Sequence, residues 1–310
     1  MTISRALIAK QLKPGLSGVL GQTYQRFSNQ CDQVFDIRTS KQAQEEFVMT
    51  TGMGLAQIKP EGDLYAMDTM GEGYTARFVN QTFGLGYVVT EEAIEDNLYT
   101  AEAFRKGTAL ARSMAETKEI RGAGILNLAF DAGTPYGDGV ALCANNHPLS
   151  GAGAGTYSNL GSADLDAASM KAALIAIRTT FVDDRGLKLK VNPKQLIVAP
   201  SENFNAFEIL RSDLSTSTAV LGATGITQTN NVNSLKGSVP STFVYDYLTD
   251  PDAWFIKTDA DDGLIHFQRR KLTMNMSYKD PYTGNLVVTA SERYSFGVGD
   301  ARCIWGSPGV

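Results

Sequence analysis

Residues 72–97 read EGYTARFVNQTFGLGYVVTEEAIEDN, and two structural patterns meet in them. The alternating apolar side chains of this stretch are Phe83, Leu85, Tyr87 and Val89. Alternation with a period of two is typical of a half-buried strand. A long segment without proline follows, from Ala101 to Phe130. This order predicts a strand that leads into a long helix.

The predicted helix has a start signal and a narrow apolar stripe. Thr100 is placed to cap it, and Glu102 puts an acidic group in the first turn. At 1.5 Å per residue the helix would be about 45 Å long. The apolar stripe consists of Phe104, Leu110, Ala111 and Met114. Because such a stripe buries one side only, we expect the helix to lie across a sheet or along a neighbouring subunit.

Upstream of the strand, residues 46–90 resemble two extended limbs around a polar tip. The tip, Lys59 to Gly73, holds one proline and three glycines, which favour an exposed loop. Its charged residues are Lys59, Glu61, Asp63, Asp68 and Glu72. A loop this long without structure of its own is usually functional or disordered.

The first 41 residues differ in charge from the rest of the chain. Six basic residues against two acidic ones give this stretch a net charge of +4, and Arg5, Lys10 and Lys13 lie near its start. Pro14, Gly15 and Gly18 interrupt it. The pattern favours an arm with short helical pieces, and an ordinary solvated N-terminus is the alternative.

An α/β portion follows the predicted helix. Asp164 is expected to cap a helix that ends at Gly186. The expected buried face of that helix is Leu165, Ala168, Ala172 and Ile175. QLIVAP at 195–200 predicts a buried strand, and Ser201 is expected to cap a second helix. This second helix would present Phe204, Phe207 and Leu210.

The last third of the chain is predicted to be polar loop and then strands. From Ser212 to Ser241, 18 of 30 residues are Ser, Thr, Asn, Gln or Gly, which indicates a long polar loop. Strands are predicted at 254–257, around 272–278 and at 286–296. The turn DPYTG at 280–284 separates the last two, and a short strand is expected near the C-terminus.

Composition excludes several classes of protein. The 310 residues are 43% hydrophobic, which supplies a large core, and their net charge of −5 excludes a basic nucleic-acid binder of the usual kind. No stretch approaches the roughly 20 apolar residues of a membrane span, and the N-terminal apolar run is too short for a secretory signal. We expect a soluble, intracellular protein without a membrane partner.

Catalytic and metal chemistry have few candidate residues. The chain has two histidines and three cysteines, and it lacks G-x-S-x-G, Walker, H-E-x-x-H and C-x-x-C motifs. Cys143 and His147 lie four residues apart and could form a thiol–base pair, but structural zinc needs four ligands. GAGAGT at 151–156 resembles a phosphate loop only superficially, because it follows NNHPLS rather than a strand. We expect no catalytic site, metal or cofactor.

Three carboxylate doublets are the candidates for an acid–base pair. They are Glu91/Glu92, Asp183/Asp184 and Asp261/Asp262. Adjacent side chains do not face each other on a helix or strand, so solvated turns or caps are the expected roles.

The order of these parts resembles the major capsid proteins of tailed bacteriophages, and more narrowly the Mu-like major head subunit family. The resemblance is carried by residues 72–97, by NPKQLIVAPSENFNAFEIL at 192–210 and by NLVVTASERYSFGVGDARCIWGSPG at 285–309. These segments resemble the family's extended-loop return limb and spine helix, its apical strand and helix, and its long peripheral strand with terminal return. The resemblance covers most of the chain from about residue 20.

The resemblance implies an α+β fold with four parts. These are an N-terminal arm (1–40), an extended loop (41–90), a peripheral domain with the spine helix (91–160 and 262–298) and an apical domain (161–261 and 299–310). The polar loop of the apical domain would sit near the capsomer axis. The implied contacts between subunits involve Arg5, Lys10, Lys13, Lys59, Glu61, Asp63, Asp68 and Glu72.

The implied function is that of a non-enzymatic shell subunit. It forms hexamers and pentamers of an icosahedral virion head that encloses double-stranded DNA, and it assembles in the host bacterial cytoplasm with scaffold, portal and head-maturation proteins. Some members join subunits through a lysine–asparagine isopeptide bond, but no motif around Lys59 supports one here. The alternatives are an encapsulin-like compartment shell and, in a different class, a thiol hydrolase using Cys143 and His147.

Overall fold

The computed structural model describes residues 24, 27, 29–92, 99–150, 155–220, 226–277 and 283–310. The start of the predicted arm, with Arg5, Lys10 and Lys13, lies outside these residues, as do most of GAGAGT and of the DPYTG turn. The chain forms two compact units. The first comprises Met1–Glu45, Phe78–Gly122 and Ile265–Gly297, and the second comprises Glu46–Arg77, Ala123–Leu264 and Val298–Val310.

Helices and strands alternate irregularly along the chain. The helices are α1 (Cys31–Val34), α2 (Tyr99–Asn127), α3 (Ala167–Thr180) and α4 (Asn203–Arg211). The strands up to the middle of the chain are β1 (Asp36–Thr39), β2 (Gln44–Thr50), β3 (Glu72–Val79), β4 (Gln81–Val89), β5 (His147–Pro148), β6 (Thr156–Tyr157) and β7 (Pro193–Val198). The later strands are β8 (Leu214–Val220), β9 (Ile226–Val232), β10 (Ser241–Val244), β11 (Trp254–Thr258), β12 (Leu264–Ser277), β13 (Leu286–Val298) and β14 (Ile304–Ser307).

The first unit is built on a four-stranded sheet with the order β1-β12-β13-β4. β4 pairs antiparallel with β13 over its whole length, from Gln81 opposite Tyr294 to Val89 opposite Leu286. Leu110, Ala111 and Met114 of α2 pack on Ala290 of β13. The expected placement of the long helix across a sheet is therefore confirmed, although the helix begins at Tyr99 and so includes Thr100 instead of being capped by it.

The second unit has its own four-stranded sheet, with the order β10-β7-β11-β14. β7 is parallel to β10 and antiparallel to β11, so the predicted QLIVAP strand is central and completely buried at Leu196, Ile197 and Val198. Helices α3 and α4 cover the sheet and share one core with Trp254 and Trp305, whose ring centroids are 4.8 Å apart.

Two helix predictions in this unit were wrong in detail. The cap of α3 is Asp166 rather than Asp164, with a reciprocal hydrogen-bonded box to Ser169. The buried face consists of Met170, Ala173 and Ile177, whereas Ala168, Ala172 and Ile175 are exposed. Small alanines on both faces hid the true stripe. Gly186 does not end the helix, which stops at Thr180; with φ of +78° it forms the turn between Asp183 and Leu187.

The start of α4 also differs from the expectation. A 3-10 turn at Pro200–Glu202 precedes the helix, and the Ser201 hydroxyl donates to the Pro251 carbonyl (2.6 Å) instead of capping it. Phe204 and Phe207 are 78% and 64% exposed, while Ala206, Ile209 and Leu210 are buried. Of the three predicted apolar positions, only Leu210 lies in the core.

The predicted polar loop at Ser212–Ser241 contains an antiparallel hairpin. β8 and β9 pair over seven positions, from Leu214 opposite Val232 to Val220 opposite Ile226. The interpretation as a loop was wrong because Ser and Thr occupy the positions where apolar alternation would reveal strands, although Thr has a high strand propensity.

The extended region before residue 90 contains two separate strand pairings. β2 pairs with β3, so the return limb of the ribbon is Glu72–Val79, whereas Phe83 to Val89 belong to the sheet of the first unit. In β4, Val89 is buried and Phe83 and Tyr87 are half-buried, but Leu85 is 48% exposed.

Candidate assembly surfaces

The ribbon of β2 and β3 ends in a closed neck. The Thr51 amide donates to the Gly71 carbonyl (2.9 Å), and the Gly71 amide donates to the Thr51 hydroxyl (2.8 Å). Gly52 follows with φ of +38°, and a Cβ there would lie 2.2 Å from Asp183 Oδ2. Only glycine fits this exit, because it combines a left-handed backbone with a close approach. The neck thereby defines a tip of residues 53–70.

Asp68 holds the two sides of the tip together. Its carboxylate accepts hydrogen bonds from the Gly54 amide (2.7 Å), the Thr69 amide (2.9 Å) and Arg185 Nη1 (2.8 Å). Arg185 also donates to the Thr69 carbonyl. The two backbone donors, followed by Arg185, lower the pKa of Asp68. This predicted contact residue therefore already has partners within its own chain.

The other predicted contact residues of the loop point into solvent. Lys59 Nζ lies 4.6 Å from the centroid of the Tyr65 ring, a cation–π geometry. Glu61, Asp63 and Glu72 are exposed, and Glu72 is the first residue of β3 rather than part of the tip. Their contact role stays a prediction.

The tip also carries an apolar surface that sequence reasoning missed. Its exposed apolar side chains are Met53, Leu55, Ile58, Leu64, Tyr65, Met67 and Met70. Ile58 is 96% exposed, and Leu64 and Met67 are each 91% exposed. Contiguous exposed apolar residues of this kind mark interaction sites in soluble proteins. The signal was present in the sequence, since large apolar residues are unusual in a loop rich in glycine and acid.

A buried ion network braces the second unit. Arg302 is 1% exposed; it donates through Nη2 to Asp184 Oδ1 (2.6 Å) and through Nε to the Val182 carbonyl (2.7 Å). Its Nη1 lies 3.3 Å from Asp300 Oδ1, and its guanidinium stacks over the Tyr157 ring at 4.6 Å. Burial opposes the charge of Arg302, but Asp300 and Asp184 raise its pKa. Asp184 is thus a buried ion partner, not the solvated turn residue expected of the doublet.

A second charged cluster lies inside the first unit. Asp32 Oδ1 is 3.5 Å from Lys118 Nζ and 3.3 Å from His266 Nδ1, and Lys118 is only 2% exposed. Burial opposes ionisation of Asp32, but the nearby His266 ring and the Lys118 charge lower its pKa to about 2. The Cys31 amide donates to Glu119 Oε2 (2.9 Å). These contacts fix α1 against α2.

Cys143 and His147 are both buried and do not form a catalytic pair. Burial raises the pKa of the Cys143 thiol, which disfavours the reactive thiolate. The His147 Nδ1 atom is 2.6 Å from Asp138 Oδ2, and Nε2 is 3.0 Å from Asn159 Oδ1. Both ring nitrogens are therefore occupied by structural partners.

Asn159 orients His147 and was not found from the sequence. Its amide nitrogen donates to the carbonyls of Leu142, Ala301 and Ile304 at 2.9–3.1 Å. Its side-chain oxygen consequently accepts, both from the Ala144 amide (2.8 Å) and from His147. Nothing around a lone asparagine in a glycine-rich stretch signals such a role.

The described part of the chain shows no group of His, Cys, Asp and Glu residues that could hold a metal ion. Cys31, Cys143 and Cys303 are buried, and none of them forms a disulfide within the described part of the chain. No helix among the described residues is long and apolar enough to cross a membrane.

A family model described as phage capsid protein matches residues 74–306, about three quarters of the chain. The chain belongs to the phage capsid protein family. It is a structural component of a phage capsid and not an enzyme. The family and the occupied His147 together overturn the thiol-hydrolase alternative. No curated protein matches the sequence significantly.

Solved structures similar to this capsid protein confirm the tailed-phage capsid fold. A structure from Mycobacterium phage Patience shares 9% identity at a TM-score of 0.52, covering 98% of this chain and 88% of that one. The virus-like particle from Pyrococcus furiosus shares 11% identity at 0.51, with 95% and 98% covered. The procapsid of bacteriophage JBD30 shares 15% identity at 0.50, with 98% and 76% covered.

Proposed function

We propose that this capsid protein is the major head subunit of a tailed phage of the Mu-like kind, and that hexamers and pentamers of it close an icosahedral shell around double-stranded DNA. The observation that carries the proposal is the exposed apolar tip at residues 53–70, whose two sides are joined by the Gly54–Asp68 hydrogen bond. A subunit that functioned alone would gain nothing from displaying Ile58, Leu64 and Met67 to water, whereas a shell subunit can bury them on a neighbour.

We assign the parts of the fold as the sequence suggested: arm 1–40, extended loop 41–90, peripheral domain 91–160 and 262–298, and apical domain 161–261 and 299–310. The ribbon of β2 and β3 supports the extended-loop assignment as far as Val79, whereas β4 pairs with β13 and so belongs with the sheet of the peripheral domain. The packing of α2 on that sheet supports the spine helix. In this assignment the basic residues Arg5, Lys10 and Lys13 meet acidic groups of a neighbouring copy, such as Glu61 and Asp63.

The proposed relation to DNA is enclosure without tight binding. The net charge of −5 disfavours phosphate neutralisation, which requires clustered Lys and Arg. Scaffold, portal and head-maturation proteins are the further partners we propose, and assembly would occur in the cytoplasm of the host bacterium.

Removing the tip tests the proposal. Gly54 and Asp68 lie in hydrogen-bond contact, so Leu55–Met67 can be replaced by a short Gly-Ser linker without disturbing β2 or β3. We expect a folded subunit with unchanged circular dichroism that forms no shells in electron micrographs. Normal shells from this deletion would refute the contact role.

The matched control keeps the tip and removes the negative charges of Glu61 and Asp63. The double variant Glu61→Gln/Asp63→Asn leaves every exposed apolar side chain in place. Shells from this variant, together with none from the deletion, would assign the contact to the apolar surface. Extraction of nucleic acid from wild-type particles then separates a phage head from an encapsulin-like compartment, which would hold protein cargo instead.

A further inference from the structure

The hairpin of β8 and β9 forms a sheet of its own. Among the described residues this sheet contains only these two strands, and it joins neither four-stranded sheet. An isolated two-stranded hairpin is marginally stable in water at best. Each of its strands has one edge, facing away from the other strand, whose backbone groups have no ladder partner in the described sheet.

Its sequence lacks the devices that usually protect strand edges. The 19 residues from Leu214 to Val232 include no charged residue and no proline. Natural proteins block exposed edges with lysine, proline, bulges or covering elements. The register here runs through seven consecutive pairs without a shift. An uncharged, regular hairpin is suited to pairing with another strand.

The base of the hairpin is firmly attached to α4. Asn233 Nδ2 donates to the carbonyls of Ile209 (2.8 Å) and Ser212 (3.0 Å), and Lys236 forms an ion pair with Asp213. Leu214 and Val232, the pair at the base, are 49% and 83% exposed. The structure therefore holds the root in place and leaves apolar side chains there uncovered.

We propose that the hairpins of neighbouring copies pair edge to edge, β9 of one copy with β8 of the next, in a closed antiparallel ring around a rotation axis. The partner is thus a second copy of this chain, and this inference rests on the proposed function. Rotation about an axis along the strands leaves strand directions unchanged, so every β8 points one way and every β9 the other. Neighbouring edges then meet antiparallel, and closure removes all free edges.

A ring of identical copies also explains the missing charges. A charge on a strand edge is repeated in every copy, so a charged ring would accumulate like charges within a small circumference. Uncharged Ser, Thr, Asn and Gln avoid this repulsion, and the backbone groups supply the pairing.

Hydrogen exchange tests the pairing on the assembled protein. In the free subunit, amides of β8 and β9 that point away from the hairpin should exchange fast, in alternation with the paired ones. In wild-type shells we expect the outward amides to slow by at least about tenfold, because they become hydrogen-bonded. Shells that form without this slowing would overturn the ring while leaving the proposed function intact. Slowing only in particles that contain a second protein would assign the edges to that protein and also overturn it.

Charge variants provide a second, independent test. Thr216 and Gln228 belong to one face of the hairpin, because Thr216 pairs with Asn230 and Thr218 pairs with Gln228. Thr216→Lys/Gln228→Lys therefore places like charges on the same face of both strands, whereas Thr216→Lys/Gln228→Glu places opposite charges where β9 of one copy meets β8 of the next. With both subunits folded by circular dichroism, we expect the first to lose capsomers by at least about tenfold and the second to retain them. Equal assembly of the two variants would contradict pairing between copies.

Discussion

Arg302 shows how much one residue can determine in the interior of the second unit. Sequence reasoning placed it in a C-terminal strand segment and gave it no role, yet it is almost fully buried and contacts Asp184, Asp300 and the Tyr157 ring. Asp184 is more than a hundred positions away in sequence. Such a pair cannot be predicted from one sequence, because neither local spacing nor periodicity connects its members. Asn159 was missed for the same reason.

Replacing Arg302 by alanine should destabilise the subunit strongly. The change leaves Asp184 and Asp300 buried without their cation, and breaking a buried pair in this way costs about 3–5 kcal/mol. Urea unfolding of the unassembled subunit measures the loss. The matched control is Arg270→Ala, because exposed Arg270 donates only to the Ser291 hydroxyl in the described structure and should cost less than about 1 kcal/mol. Similar losses of unfolding free energy in both variants would mean that the buried ion network stabilises the fold no more than an exposed hydrogen bond does.

Helices and strands with a regular apolar period were predicted correctly, whereas those without one were missed or misassigned. The long helix, the buried strand β7 and the long strand β13 were predicted because their apolar residues recur with the period of the element. The β8–β9 hairpin was missed because polar residues replace that signal, and the face of α3 was misassigned because its alanines are uninformative. The polar tip predicted at Lys59–Gly73 from its glycines and acids overlaps most of the tip at 53–70, but the apolar surface there was overlooked.

The Arg185–Asp68 contact should act on assembly more than on folding. Arg185→Gln removes the cation that joins the tip to the body of the second unit. Because the pair is partly exposed and screened by solvent, we expect the free energy of unfolding to change little. We expect shell formation to slow severalfold, since a loosened tip must be ordered on binding. Light scattering follows the assembly rate.

The control for this variant is Arg77→Gln. Arg77 pairs with Glu46 across the ribbon and is more exposed than Arg185. Its loss leaves the hydrogen bonds of Asp68 in the tip intact. Assembly of Arg77→Gln should match the wild type. If both variants slowed assembly equally, the loss of any positive charge near the ribbon, rather than the loss of the Arg185–Asp68 contact, would be responsible.

The whole molecule combines a net negative charge with an exposed apolar surface at the tip. Its net charge is −5, so identical subunits repel one another weakly at neutral pH. The charges of the arm predict docking by ion pairs, whereas the structure adds an exposed apolar tip as a second candidate for the docking force. The fold class and family resemblance were predicted from the order of elements, but the balance between these two forces depends on exposure, which sequence alone does not reveal.

The salt dependence of assembly distinguishes docking by ion pairs from docking through the apolar tip. Raising NaCl from about 0.05 M to about 0.5 M shortens the screening length severalfold and weakens surface ion pairs. If the apolar tip dominates, the critical concentration for assembly should stay constant or fall, because repulsion between the acidic bodies is screened too. Sedimentation of shells away from free subunits gives this concentration. A rise of tenfold or more would instead assign the main contact to charge.

The exposed tip also affects the subunit before assembly. Ile58, Leu64 and Met67 in water present the same signal that chaperones and proteases use to recognise an unfolded chain. In the proposed assembly, a newly made subunit stays open to this recognition until a neighbouring copy covers these side chains. Its survival would then depend on how soon it meets other copies, which would couple the yield of intact protein to the rate of synthesis.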